Sequence, residues 1–133
     1  MQTPGHVFVE LYVEDMEYYL RLVRDVLGFA VVRAEDGWAE LRSSHGTVIL
    51  NRHDDPEPGH PFEHFAGSAR RGFGVEIGIV CDSREDLAEK WARARRVDGC
   101  RVTDIVDQEW GMTDFRILTP QGYYLRVTTP RRA

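Results

Sequence analysis

The stretch that decides the fold is residues 6–28, which read HVFVELYVEDMEYYLRLVRDVLG. Its first eight residues place aliphatic side chains at every second position, which is typical of a β-strand with one buried face. From Asp15 onward the apolar residues recur every three or four positions, which indicates an amphipathic helix. Asp15 can cap the start of this helix and Gly28 can end it. The stretch therefore predicts a strand followed directly by a helix.

Outward from this stretch, the chain predicts three more strands and then a second copy of the same order. The strands after the first helix are expected at residues 30–33, 38–42 and 47–51, separated by turn-forming residues. The second copy is expected as a strand at 74–81, a helix at 84–96 and strands at 101–106, 112–118 and 123–128. The two copies repeat with a period of about 68 residues. The sequence thus predicts an α+β fold built from two βαβββ modules.

The domain organisation follows from the length and from one polar segment. A chain of 133 residues is the size of one domain, so we expect a single domain over residues 1–133. Its first module is expected at 6–52 and its second at 73–129. The segment 53–72 between them is rich in proline and acidic residues, and a loop of this length is typical of a linker or a lid.

Composition excludes several classes of function. The net charge is -5 and no basic block occurs, which argues against nucleic acid as a partner. No run of 18 apolar residues exists, so no membrane span is expected. The two cysteines, Cys81 and Cys100, form no metal-binding or redox pair, and we recognise no signal peptide. We therefore expect a cytoplasmic protein without a disulfide framework.

Three segments resemble markers of the glyoxalase, bleomycin-resistance and extradiol-dioxygenase superfamily, also called the vicinal-oxygen-chelate superfamily. They are the strand-to-helix junction Val13–Met16, the helix end Val26–Phe29 and the last hairpin Trp110–Gly122, in which Thr119 replaces the usual aspartate. The resemblance covers nearly the whole chain. It implies a curved mixed sheet that forms a cleft, and a homodimer of the kind found among metal-free antibiotic-binding proteins of the bleomycin-resistance type.

The resemblance also implies where a divalent metal would bind in the family's enzymes. The four ligand positions carry over to Phe8, Leu50, Glu76 and Arg126 of this chain. Phenyl and isobutyl groups offer no lone pairs, and a guanidinium remains cationic and repels a metal ion. We therefore predict no metal at this site and no other cofactor. We predict instead an ion pair between Glu76 and Arg126, which either fixes the strand register or contacts a ligand.

Strand alternation predicts which residues line a ligand cavity. One face of each sheet should carry aromatic and charged side chains, joined by rim residues and by the 53–72 loop. The residues expected to bind ligand are Phe8, Glu10, Tyr12, Trp38, Leu50, Arg52, Phe62, Phe65, Glu76, Trp110, Met112, Tyr124 and Arg126. Trp38 and Trp110 could equally fill the interior of the sheet.

The function implied is the non-covalent capture of a small aromatic natural product, as in self-protection or antibiotic resistance. Bleomycin-, mitomycin- and enediyne-like compounds form the ligand class that the resemblance implies. No catalytic residue is predicted, because no nucleophile stands beside an oriented base. The alternative is a metal-independent isomerase, cyclase or lyase of the same fold, with Glu10 or Glu76 as the candidate general base.

Overall fold

The computed structural model describes residues 4–44, 46–52, 58–62 and 71–132. The chain divides into two compact units, Met1–Gly67 and Ser68–Ala133. Each unit contains one mixed sheet and helical structure, which confirms the predicted α+β class. Within the described residues, no helix is both long enough and apolar enough to cross a membrane.

The first unit contains four strands and one helical segment. The strands are β1 (Phe8–Val13), β2 (Ala30–Glu35), β3 (Trp38–Arg42) and β4 (Thr47–Arg52), in the sheet order β1-β4-β3-β2. β1 and β4 are parallel, and the other pairs are antiparallel. Helix α1 (Met16–Leu20) is capped by Asp15, whose carboxylate accepts a hydrogen bond of 3.1 Å from the backbone N–H of Tyr18. Gly28, with φ of 82°, follows the helical segment.

The apolar face of this helical segment packs with one face of the sheet. Residues 21–26 continue α1 with π-helical hydrogen bonding, which the predicted helix at 15–27 did not distinguish. The buried side chains include Leu11, Val13, Tyr19, Leu22, Val23, Val26, Leu41 and Leu50. Leu11 and Val13 therefore occupy the core as the alternation in β1 predicted.

The second unit repeats the pattern with a more divided sheet. Its elements are β5 (Ile77–Val80), α2 (Arg84–Ala94), β6 (Arg101–Val102), β7 (Val106–Asp107), β8 (Thr113–Leu118) and β9 (Tyr124–Thr128). The sheet order is β5-β9-β8-β6, and β7 also pairs with β8. β5 and β9 are parallel, as β1 and β4 are in the first unit. Ser83 caps α2 by accepting a hydrogen bond of 3.0 Å from the backbone N–H of Asp86.

The predicted order of elements is confirmed, and several of the predicted bounds differ from the observed ones. The strand predicted at 101–106 is two short strands, because the three residues 103–105 lie opposite only two residues of β8, Phe115 and Arg116. The fifth strand begins at Ile77 rather than at Gly74, where φ is 87°. Helix α2 ends at Ala94, two residues before the predicted end.

Candidate ligand-binding site

The sheet of the first unit has one face that the helix does not cover, which we call the first helix-free face. Phe8, Glu10 and Tyr12 lie on it, since the alternate residues of β1 point into the core. In the parallel register, these three residues stand beside Thr47, Ile49 and Asn51 of β4. Trp38 of β3 pairs with Asn51 and shares this face. The sequence prediction for β1 and Trp38 is therefore consistent with the register.

An aromatic cluster around Tyr12 dominates this face. The Tyr12 ring meets the Phe62 ring edge to face at 5.0 Å between centroids, and the His60 ring at 5.6 Å. The Tyr12 hydroxyl lies 3.4 Å from Nε2 of His60. Phe62 remains 45% exposed, so its ring is available to a ligand. Sequence reasoning left His60 out of the site, although the sequence His60-Pro61-Phe62 carries both rings.

A polar group stands beside the aromatic cluster. The Nδ2 amide of Asn51 donates a hydrogen bond of 3.0 Å to Oε2 of Glu10, so the carboxylate has a fixed orientation on the face. Towards β2, on the same face, the guanidinium of Arg33 lies 5.4 Å from the Trp38 ring centroid. Aromatic rings beside an oriented carboxylate suit a planar, partly polar organic molecule.

Two residues predicted for this cavity lie elsewhere. Leu50 is 0% exposed and stands beside Leu11 on the core side of the sheet, so it cannot contact a ligand on the opposite face. Arg52 lies two residues further along β4 and therefore points to the same side of the sheet as Leu50. It lines an open depression of about 570 Å³ on the helix side, together with Met16 and Leu20. The ligand position that the resemblance carries over to Leu50 is therefore one residue away from the helix-free face, because a shift of one residue in a strand reverses the face.

The sheet of the second unit likewise has a face without a helix, which we call the second helix-free face. Tyr124, Arg126 and Thr128 of β9 share it, because Leu125 and Val127 between them are buried in the core. β5 contributes Gly78 beside Arg126. Glu76 directly precedes β5, two residues before Gly78, and so lies on the same face. The neighbouring residues from β8 are Asp114, Arg116 and Leu118.

The predicted Glu76–Arg126 ion pair is present on this face. Nη2 of Arg126 lies 3.5 Å from Oε2 of Glu76, and both side chains are partly exposed. This is a single long contact rather than the bidentate pair that the sequence analysis favoured. The Nε atom of Arg126 is buried and has no hydrogen-bond partner among the described residues. The pair therefore leaves donors of the guanidinium unused.

Tyr124 connects the charged groups of this face. Burial raises the pKa of the Tyr124 hydroxyl, and its hydrogen bond to Glu76 raises the pKa further, while the positive charge of Arg116 opposes both effects. The hydroxyl thus remains protonated at neutral pH and can donate to a carboxylate. Sequence reasoning missed Arg116 and Asp114, which the antiparallel register of β8 and β9 brings to the same face.

The other predicted site residues lie at the ends of elements or outside the described residues. Trp110, which is 45% exposed, and the half-buried Met112 lie in the turn between β7 and β8, at the end of β8 away from Leu118. They are therefore not brought beside the Glu76–Arg126 pair. Phe65 lies outside the described residues.

The residues present do not fit the divalent metal that the resemblance implies for the family's enzymes. Phe8 offers a phenyl ring, and Ile49 stands on its face in place of Leu50. Arg126 places a cation 3.5 Å from Glu76, where a metal ion would be repelled. Across the described ranges, no group of three or more His, Cys, Asp or Glu side chains is arranged to hold a metal ion. The metal-free site remains a prediction from this chemistry.

The cysteines give a first testable prediction, because only one of them is accessible. Cys81 is buried, and its burial raises the pKa of the thiol to about 11, whereas Cys100 is half-buried directly before β6. At pH 8 only about one in a thousand Cys81 thiols is ionised, so it is a poor nucleophile. We expect an aromatic disulfide reagent to modify one thiol rapidly in the native protein and both thiols in guanidinium chloride. Rapid modification of both thiols in the native state would contradict this assignment.

Comparisons with known proteins agree with this fold. The family model described as "Glyoxalase/Bleomycin resistance protein/Dioxygenase superfamily" matches residues 4–127. No curated protein is similar enough to count as a match.

Solved structures with different described roles share the fold. One is a glyoxalase/bleomycin resistance protein/dioxygenase family enzyme from Burkholderia phytofirmans, with 15% identity, a TM-score of 0.72 and coverage of 92% of this chain and 95% of that one. The fosfomycin resistance protein FosX from Mesorhizobium loti has 13% identity, a TM-score of 0.70 and coverage of 97% and 94%. Lactoylglutathione lyase from Agrobacterium tumefaciens has 16% identity, a TM-score of 0.65 and coverage of 96% of both chains. At these identities the likeness establishes the fold and leaves the activity open.

Proposed function

Because this chain belongs to the glyoxalase/bleomycin resistance protein/dioxygenase superfamily, we propose that it binds a small aromatic natural product without covalent chemistry. Capture of the compound would protect the cell that makes or meets it. Bleomycin-, mitomycin- and enediyne-like compounds are the ligand classes proposed, with the bleomycin-resistance type as the nearest functional subgroup. The proposal includes a metal-free site, a homodimer and a cytoplasmic location.

The observation that carries the proposal is the set of partly exposed aromatic rings on the first helix-free face. Phe8 is 43% exposed and lies on the same sheet face as Tyr12. Phe62 is 45% exposed, and its ring contacts the Tyr12 ring. Edge-to-face pairing holds the Tyr12 and Phe62 rings in place, so little rotamer entropy is lost when a planar ligand stacks on them. The carboxylate of Glu10, held by Asn51, supplies an oriented acceptor beside the rings.

Native mass spectrometry against a panel of aromatic antibiotics tests the proposal. We expect at least one compound to form a stoichiometric complex, and the mass of the free protein to be that of a dimer. If every compound fails to bind below about 1 mM, which corresponds to only about 4 kcal/mol, the proposal is wrong. Stoichiometric iron, manganese, nickel or zinc in the purified protein would overturn the metal-free site.

The fate of the bound compound separates capture from catalysis. We expect the compound released by denaturing the complex to be chemically unchanged after prolonged incubation. Steady conversion to an isomer, a cyclised product or a cleavage product would instead identify a metal-independent enzyme of the same fold.

A tyrosine variant tests the aromatic cluster directly. Tyr12→Ala is expected to weaken binding of a captured compound about tenfold, because both the stacking surface and the support for Phe62 are lost. Tyr18→Ala is a matched control, since this tyrosine lies on α1 and its ring also forms an edge-to-face pair, with Tyr19 at 5.3 Å. Isothermal titration calorimetry measures both variants. Equal losses of affinity would place the ligand away from the first helix-free face.

A further inference from the structure

The second helix-free face holds two arginines side by side. Arg116 of β8 and Arg126 of β9 are direct partners in the antiparallel register, so their side chains leave the same face at neighbouring positions. Like charges directly opposite each other destabilise a sheet. Both side chains are only partly exposed, which lessens the screening of this repulsion by water. The arrangement therefore calls for a negative charge between or beside the two guanidiniums.

The carboxylates of this face supply that charge incompletely. Glu76 approaches Arg126 to 3.5 Å, and Oδ2 of Asp114 approaches Nη2 of Arg116 only to 3.9 Å. Asp114 is almost fully buried, and its Oδ2 atom has no hydrogen-bond partner among the described residues, while its Oδ1 accepts from Gln108. The buried Nε of Arg126 is likewise without a partner in the described part of the chain. Neither arginine thus makes the two short parallel bonds that a guanidinium forms with a well-placed carboxylate.

Gly78 leaves room for such a group. It is the direct partner of Arg126 in β5, and a Cβ atom added to it would meet no atom within 4 Å. Its φ is not positive, so the backbone there does not require glycine. The missing side chain leaves open space next to the guanidinium, flanked along the strand by Glu76 and Val80.

We propose that this space binds the acidic group of a small aromatic compound, a carboxylate, sulfonate or phosphate, between Arg116 and Arg126 with Tyr124 as a further donor. The inference rests on the proposed function and narrows its ligand class to aromatic acids. Each of these groups carries a pair of oxygens that matches the fork of a guanidinium, and Tyr124 keeps its proton at neutral pH. Glu76 then acts as a competitor that occupies Arg126 while the acid is absent.

This role and a purely structural ion pair predict different effects of one substitution, Glu76→Gln, on the affinity for an aromatic acid. If Glu76 competes with the ligand, Glu76→Gln should tighten the binding of an aromatic acid, because it releases Arg126. If the pair merely fixes the register of β5 and β9, the same change should leave affinity unchanged or lower it along with stability.

Two fluorescent probes with the same aromatic body separate the acidic group from the rings. The acid is 8-anilinonaphthalene-1-sulfonate and the neutral probe is N-phenyl-1-naphthylamine. We expect Arg126→Gln to weaken binding of the sulfonate by at least about tenfold. Glu76→Gln should tighten it about threefold. Neither change should alter binding of the neutral probe. Arg126→Lys keeps the charge without the fork and should fall between the wild type and Arg126→Gln.

Arg101→Gln is the matched control. This arginine is exposed on β6, beside Leu118, and its removal lowers the net charge equally without touching the space at Gly78. Equal losses of sulfonate affinity in Arg101→Gln and Arg126→Gln would overturn the acidic-group site. The proposed function would survive that result if the neutral probe still binds. If neither probe binds the wild type, the proposed function fails for this ligand class and the inference fails with it. Circular dichroism of each variant confirms that it is folded.

Discussion

Replacing Leu50 by alanine is expected to lower the free energy of unfolding by about 3 kcal/mol, the cost of a cavity in a well-packed core. Leu50 is 0% exposed and lies beside Leu11 on the core side of the first sheet. Because the side chain points away from the first helix-free face, the affinity of the variant for ligand should remain within about twofold of the wild type at a temperature where it is folded. Equilibrium unfolding in urea, followed by tryptophan fluorescence, measures the stability change.

Leu118→Ala provides the matched comparison for this prediction. It deletes the same atoms from a strand residue that is 38% exposed on the second helix-free face. Its expected cost is smaller, about 1 kcal/mol, since a good part of the removed surface is already in contact with water. If Leu50→Ala cost no more than Leu118→Ala and also abolished ligand binding, Leu50 would line the cavity, and the register of β4 would be wrong by one residue.

The face of β4 shows where sequence reasoning reaches its limit. In β1, polar or aromatic residues alternate with aliphatic ones, and this alternation placed Phe8, Glu10 and Tyr12 correctly on one face. In β4, residues 47–50 are all buried, so burial gives no alternation from which to read a face. The position of Leu50 was instead carried over from the resemblance, which fixes a distance along the chain and not the face of a strand.

In the second sheet, the alternation within one strand predicts which residues share a face, but it does not predict their neighbours on the next strand. The common face of Glu76, Tyr124 and Arg126 was accessible from the sequence, because β9 alternates strictly and ends a recognisable hairpin. Arg116 and Asp114 were missed, since their relation to Arg126 depends on the register between β8 and β9, which a single strand does not encode. The contact of Tyr12 with His60 joins residues 48 apart in sequence, across a segment without regular periodicity.

Each helix-free face, taken by itself, offers a different kind of contact. The first presents rings, with Tyr12, Phe62 and Trp38 as the surfaces for stacking. The second presents charges, with more guanidinium donors than the neighbouring carboxylates use. Stacking tolerates many planar molecules, whereas a fixed pair of guanidiniums selects those that carry an acidic group. Variants of each face therefore test ring binding and acid binding separately.

Filling the space at Gly78 is expected to abolish acid binding without loss of stability. Gly78→Val places a branched side chain beside Arg126, where an added Cβ meets no atom within 4 Å, and valine favours a strand more than glycine does. We expect sulfonate affinity to fall at least about tenfold, because the acid can no longer reach the guanidinium fork. Gly78→Ala should cause a smaller loss, and the midpoint of thermal unfolding should stay equal or rise in both variants.

The control for Gly78→Val adds bulk to the same strand without filling the space. Val80→Ile enlarges a side chain that is already 62% exposed, two residues along β5 on the same face. Fluorescence titration with the sulfonate should find this variant close to the wild type. Unchanged affinity in Gly78→Val would show that the acid does not occupy the space beside Arg126. A loss of affinity with a parallel loss of stability would instead mean that the backbone at Gly78 requires glycine. Only a loss of affinity at undiminished stability fits a ligand seated where the side chain is missing.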